Sequence, residues 1–269
     1  MAEDRRRAPA RRAAQPKKRP PADDELVIGL VAAVGVDLAA VAAEIGGAFA
    51  QFEYRSVDLH LTDTLRSFPW ESPLVEEPFD DRLWSYTDAG DELRRKWQRK
   101  DAMALLAISR VVFERKEVTG DETLAAERLA YVLRSLKRPE EVALLRAVYG
   151  DRFILIGVSA TENERTSLLD KRIRQSRLPP RTRTPTYSVK RLIERDERGL
   201  KSDDRFRQDV TGTFHLADCF IELNGDVSIQ LERFLDIVFR DPRRSPLPDE
   251  FGIFQAVAAA RRSAEMVGK

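Results

Sequence analysis

Cysteine is nearly absent from this chain: Cys219 stands alone among 269 residues. A single thiol excludes an intrachain disulfide and points to a reducing compartment. Long apolar runs are missing as well. No segment approaches the roughly 20 apolar residues of a membrane span, and the first residues lack the apolar stretch of a secretory signal. A cytoplasmic protein with no membrane partner is expected. Net charge is scarce too, at +1, but that value averages two unlike parts. Arg5, Arg6, Arg7, Arg11, Arg12, Lys17, Lys18 and Arg19 against Glu3 and Asp4 put residues 1–21 at +6 and the remainder at −5. With Ala and Pro between its cations and almost no bulky apolar group, this arm cannot bury a core, so residues 1–24 are expected to be disordered. The arm either stays solvated or touches nucleic acid non-specifically through counterion release.

What the chain does have begins at Glu25. Glu25-Leu-Val-Ile-Gly-Leu-Val31 is a near-continuous apolar run of the kind a parallel sheet buries on both faces. Asp37 is placed to cap a helix, and Leu38, Val41, Ile45, Phe49 and Phe52 recur at three- and four-residue steps along one helical face. The loop between strand and helix holds Gly29 and Gly35, a layout that offers a helix N-terminus to phosphate. A Walker A loop reads G-x-x-x-x-G-K-[ST]: its amides cradle phosphate, its Lys neutralises the β/γ groups and its hydroxyl holds Mg²⁺. Here the glycines sit one residue too far apart, Val36 occupies the Lys position and Asp37 the hydroxyl position. Backbone amides can still hold a phosphorylated ligand, but Asp37 repels one unless a metal or proton intervenes. The same residues also read as a glycine-bearing turn in an ordinary α/β sheet.

The β–α alternation continues. Ser56–Thr62 alternates like a short strand, and Thr62 with Asp63 can open another helix. Prolines, acids and aromatics from Phe68 to Pro78 predict a loop. A charged helical stretch follows from Asp80 to about Val118, an insertion between strands with Leu83, Leu93, Trp97, Leu105, Ile108 and Val112 as apolar positions. Arg128–Leu133 reads as the third strand, and Pro139, Glu140, Glu141 and Gly150 punctuate the helix after it. Arg152–Ser159 is the fourth, and Thr161 with Glu164 forms a capping-box pattern for a helix to about Arg177. A Pro/Arg-rich loop leads to a helix over Tyr187–Arg198. Cys219–Leu223 supplies the fifth strand and Val227–Arg240 an amphipathic helix. About five mostly parallel strands with helical crossovers predict an α/β fold of the three-layer αβα class over residues 25–241. Residues 242–249 read as a proline-rich linker. Residues 250–269 carry one more helix, with Phe251, Phe254, Val257 and Met266 and no later element to pack on.

Three stretches carry a family likeness. They are Glu25–Val31 with Gly35-Val-Asp-Leu38; Ser135-Leu-Lys-Arg-Pro-Glu-Glu-Val142 through Leu145-Arg146 and Tyr149-Gly150; and Arg195-Asp-Glu197 with Thr213-Phe-His-Leu-Ala-Asp218. In these the chain resembles the two-domain anti-phage deoxycytidine-nucleotide (dCTP/dCMP) deaminases, which join an N-terminal P-loop kinase-like domain to a C-terminal zinc deaminase domain. The likeness covers roughly residues 25–266, and Phe254–Ser263 is similar to the helix that opens the deaminase domain. It implies a P-loop NTPase or nucleotide-kinase-like fold. It also implies depletion of deoxycytidine nucleotides in infected cells by the partner domain, held in check by this half through a nucleotide or a small regulatory RNA. A zinc deaminase needs H-x-E and P-C-x-x-C. His60 and His215 are not followed by Glu two residues on, and Cys219 has no second Cys. Zinc is therefore not expected in this chain, and a zinc deaminase domain or chain is expected as a partner.

In nucleoside-monophosphate kinases, which this half resembles in layout, the strand before the fourth helix ends in an acid that helps position Mg²⁺. Here it ends Leu133-Arg134-Ser135. With the loop Lys missing too, two charge-stabilising elements of phosphoryl transfer are gone, and losing one such donor costs ~3 kcal/mol of barrier. Kinase chemistry is expected to be lost, and no catalytic or metal-binding residue is assigned. Gly29, Gly35 and Asp37 are the first nucleotide-binding candidates, because strand one meets helix one at the usual ligand crevice. Arg134, Lys137 and Arg138, at the end of a neighbouring strand, either neutralise phosphate or form a solvated basic turn. Arg172 and Arg174, with Arg177, Arg181 and Arg183, lie where kinases carry an arginine-bearing lid. With Glu162, Glu164 and Asp170 nearby they also read as a soluble helix face. His60, His215 and Cys219 read as packed or hydrogen-bonded structural groups.

The expected function is a kinase-like, kinase-inactive regulatory module that binds a (deoxy)nucleotide. One rival is an active P-loop phosphotransferase in which a later Arg or Lys replaces the missing Lys. Another is an RNA- or protein-binding scaffold built on the basic arm and the final helix, with homo-oligomerisation left open.

Overall fold

Strand β1 (Leu26–Ala32) is buried at every residue, as its unbroken apolar run predicts. The computed structural model describes residues 24–177, 185–197, 204–241 and 243–267. The basic arm through residue 23, Arg181 and Arg183 lie outside the described residues. β1 is the centre of a five-stranded sheet of order β2-β3-β1-β4-β5. β2 is Arg55–His60, β3 Leu129–Arg134, β4 Phe153–Ser159 and β5 Cys219–Glu222. Every pairing is parallel, with Gly29 opposite Leu133 on one side and Leu155 on the other. Parallel neighbours require crossovers, and helices supply them on both faces.

Alternate residues of β1 feed two separate cores. Leu26, Ile28, Leu30 and Ala32 pack with Val41, Ile45 and Phe49 of α1 (Leu38–Gln51) and with Leu231 and Leu235 of α8 (Val227–Val238). Val27 and Val31 join Tyr131, Leu133 and Leu155 under α2 (Phe79–Trp97), α3 (Ala102–Thr119) and α4 (Pro139–Tyr149). Each such side chain contributes about 1.5–3 kcal/mol on burial. The result is the expected three-layer αβα arrangement.

Most helix ends follow their sequence signals. The Asp37 carboxylate accepts Ala40 N–H at 3.3 Å and starts α1. Thr161 and Glu164 exchange hydrogen bonds as a capping box at the start of α5 (Glu162–Gln175). Other elements differ from expectation. The charged stretch from Asp80 to Val118 splits, because Gln98 turns left-handed (φ 51°) and ends α2 before α3 begins. Thr62 and Asp63 open a 3-10 turn, Leu61–Ser67, pinned by buried Leu61 and Leu65. After α6 (Val189–Glu197) comes an unforeseen short helix, α7 (Val210–Phe214), capped by Asp209. Helix α9 (Pro248–Val267) begins inside the expected linker, and a 2.6 Å Arg233–Glu250 ion pair ties it to α8. Beyond that pair the helix stays exposed, with Phe251 51% and Ile253 66% accessible. Among the described residues no helix is long and apolar enough to cross a membrane.

Candidate functional site

The chain leaves β1 at Ala32 and turns at Val34-Gly35 before entering α1. Gly35 has φ +91°, and a Cβ there would lie 2.8 Å from both Cβ and the carbonyl oxygen of Arg165. Only glycine fits this approach of loop to α5. Gly29 is a correction. It lies in the middle of β1, where a Cβ would come within 2.6 Å of Leu136 Cδ1 and 2.9 Å of Phe153. It is a core-packing glycine four residues short of the loop, so the odd glycine spacing came from pairing one loop residue with one strand residue.

Asp37 turns its second carboxylate oxygen to Arg172, whose Nη2 donates at 2.6 Å. Partial burial raises the carboxyl, but the Ala40 N–H and Arg172 outweigh it and hold the group below the ordinary carboxylate range. The expected repulsion between Asp37 and a phosphate is thus offset by a cation already in place. Lys137, from the turn between β3 and α4, reaches the foot of the loop. Its Nζ donates to the Ala32 carbonyl at 3.0 Å and to Asp196 Oδ1 at 3.2 Å. Asp196, from α6, also accepts the Val34 N–H through Oδ2 at 2.6 Å.

A buried charge cluster fixes that turn from beneath. Glu141 Oε2 accepts the backbone N–H groups of Lys137 and Arg138 at 2.8 and 3.1 Å. Its Oε1 accepts Arg94 Nη2 at 2.9 Å, and Arg94 Nη1 donates to Asp91 at 3.1 Å. Arg94 is 2% exposed and Glu141 fully buried. Burial pushes the Asp91 carboxyl up to about 6 despite Arg94 and Arg195 beside it.

A cleft of about 460 Å³ opens above these groups, at the C-terminal ends of β1 and β3. The loop, His60, Arg134, Lys137 and Arg172 line it, together with Phe79, Arg82, Trp84 and Tyr86 of α2 and Arg195 and Asp196 of α6. This is the crevice in which open α/β sheets bind their ligands.

The fold brings Gly35, Asp37, Arg134, Lys137 and Arg172 together and leaves other candidates outside. Arg138 is paired to Glu140 at 3.0 Å and donates to the Arg207 carbonyl, so it staples the start of α4. Burial alone would raise Glu140, but Arg138 and Lys100 bring it down to about 2. Arg174 stands on the exposed face of α5, paired with Asp170 at 2.9 Å. Arg177, just past α5, pairs with the fully buried Asp80 of α2 at 2.7 Å. His215 ends α7 away from the cleft. Cys219 packs against the α1–α8 core, where burial pushes its thiol up to about 11.

His60 is a further correction, because it is a wall of the cleft rather than core packing. Its Nε2 lies 2.9 Å from Thr62 Oγ1, and burial together with Arg134 keeps the ring below its ordinary pKa, hence neutral at pH 7.

Sequence reasoning missed the α2 and α6 side of the site. Trp84 is stacked on Tyr187 with ring centroids 4.0 Å apart, and Arg195 lies 4.0 Å from the Trp84 ring. Arg195 and Asp196 fall in a stretch that carried the family likeness, which was the available signal. Nothing in the pattern of α2 distinguished its cleft residues from its core residues.

No family model matches the sequence, and no curated protein does. Solved structures of similar fold include a gluconokinase from Sinorhizobium meliloti 1021, 13% identical with a TM-score of 0.42, covering 83% of this chain and 97% of that one. A shikimate kinase from Bacteroides thetaiotaomicron is 11% identical with a TM-score of 0.38, covering 79% and 98%. Such values carry no weight for function. Strand order and layering define a five-stranded parallel αβα fold, and α1, α2, α5 and α6 all contribute to the lining of its cleft.

Proposed function

We propose that this chain binds a (deoxy)nucleotide in the cleft and acts as a regulatory module without phosphotransfer chemistry. The observation that carries the reading is that the Gly35 loop, Arg134, Lys137 and Arg172 line one cleft together with Phe79, Trp84 and Tyr86. Cations beside a helix N-terminus suit phosphate, and the aromatic share of the same lining suits a planar base. Val36 and Asp37 in place of Lys and hydroxyl, with Asp37 engaged by Arg172, speak against transfer. Calorimetry with deoxycytidine and other nucleotides should give saturable binding, about tenfold weaker or more in Lys137→Met, the loss of one charge-assisted contact. Absence of heat with every nucleotide at millimolar concentration removes the reading.

The ligand being a deoxycytidine nucleotide, and the regulated partner a zinc deaminase domain of an anti-phage system, rest on the sequence likeness alone. A second reading is favoured by one contact: Lys137 Nζ, 3.0 Å from the Ala32 carbonyl, can stand in for the missing loop Lys. It requires transfer of the γ-phosphoryl group from ATP that disappears in Lys137→Met.

A further inference from the structure

We propose that the Asp196 carboxylate occupies the seat of a ligand phosphate, so that a phosphorylated ligand binds by displacing Asp196, and α6 with it, from the loop. This deepens the nucleotide-binding reading and rests on it. Asp196 serves its own helix poorly, since a carboxylate in the last turn opposes the negative end of the helix dipole. It is nevertheless 9% exposed and held. One oxygen accepts the Val34 N–H at 2.6 Å and the other faces Lys137 Nζ at 3.2 Å. A loop amide and an ammonium bridged by two oxygens of one anion is the arrangement that a phosphate makes at such a loop.

Charge favours an exchange of anions. Lys137 is only 16% exposed, and with Asp196 gone it keeps the Ala32 carbonyl but no anion, which is unfavourable for a largely enclosed cation. Asp196 therefore leaves most readily when another anion arrives. A nucleoside, lacking phosphate, leaves it in place, so the cleft should discriminate nucleotides from nucleosides. The neighbouring residue reports the movement. Arg195 pairs with Asp88 at 2.5 Å and lies over Trp84, which is itself stacked on Tyr187. Lifting Asp196 off the loop drags Arg195 from the indole.

The test uses the full chain with Trp70→Phe and Trp97→Phe, leaving Trp84 as the sole indole. Inorganic tripolyphosphate is the probe, with a panel of nucleotides alongside. Binding should shift Trp84 emission. Asp196→Asn should bind tripolyphosphate about tenfold more tightly, because the competing internal anion no longer lowers the fraction of open protein. Saturation of the parent protein without any Trp84 change overturns the proposal, and so does an Asp196→Asn affinity no better than the parent's. The emission arm needs no change at Asp196, so a poorly folded variant does not blunt the test. Nucleotide binding with a silent Trp84 sinks only this proposal. If neither tripolyphosphate nor any nucleotide binds, the reading of the site falls as well.

Discussion

Glu141→Gln is the most demanding probe of how the site is built. The carboxylate is fully buried and accepts three N–H groups, those of Lys137 and Arg138 on one oxygen and Arg94 Nη2 on the other. Glutamine keeps the size but replaces one acceptor oxygen with an NH₂ donor. Whichever way the amide turns, its NH₂ meets a donor, and Arg94 is left with Asp91 as its only anionic partner among the described residues. Removing one partner from a buried pair costs about 3–5 kcal/mol, against a typical total stability of about 5–15 kcal/mol. An exposed pair such as Arg174–Asp170 is worth about 0–1 kcal/mol by comparison. Urea unfolding of Glu141→Gln, Arg94→Met and the double variant measures both the cost and the coupling. The double variant should cost at least about 2 kcal/mol less than the sum of the singles, since it strands one charge fewer. A Glu141→Gln cost below about 1 kcal/mol, or simple additivity, would refute the reasoning. So would a change in slope against urea that points to a different unfolding transition.

Two glycines should separate stability from binding. Gly35→Ala places a side chain at φ +91° and against the Arg165 backbone. It should cost about 2 kcal/mol and weaken nucleotide binding, seen by thermal melting and calorimetry. Gly29→Ala should destabilise by about 1–3 kcal/mol through overpacking at Leu136 and Phe153, while leaving the binding constant intact; equal loss of binding in both would contradict their assigned places. His60 gives a pH signature. Its folded pKa lies below the ordinary 6.5, so the unfolded chain binds its proton more readily. Stability from the neutral ring is present above pH 6.5 and lost as pH falls. Melting temperatures of the wild type and His60→Gln should run parallel above that pH and diverge below it, the wild type falling faster. Parallel curves down to pH 5 would remove the assignment.

The sheet was legible because its strands announce themselves. β1, β3 and β4 are apolar on both faces; Pro139 and Gly150 mark helix ends by their backbone angles, and Thr161 with Glu164 by reciprocal hydrogen bonds, all local effects that sequence spacing reveals. The break at Gln98 was illegible because a left-handed residue without glycine has no compositional mark. Helix α7, five residues long, is shorter than the period that would betray it. At the site, Gly35, Asp37 and Lys137 were readable as neighbours of strand ends, where topology alone brings residues together, and Arg172 was read only by the likeness of its stretch to a kinase lid. Arg138 and Arg174 share their composition and position but point to Glu140 and Asp170. Side-chain direction is set by packing, which charge runs do not encode. Trp84 and Asp196 come from segments more than a hundred residues apart, joined only by the tertiary fold.

The place of β1 at the middle of the sheet has a consequence for biosynthesis. Among the described strands it is made before both of its neighbours, which come far later, β3 from Leu129 and β4 from Phe153. At roughly 5–20 residues per second, the nascent chain displays an all-apolar strand with both edges open for several seconds. Helix α1 can shield one face in that interval. An apolar strand held unpaired for that interval is open to wrong edge-to-edge pairing until β3 and β4 arrive.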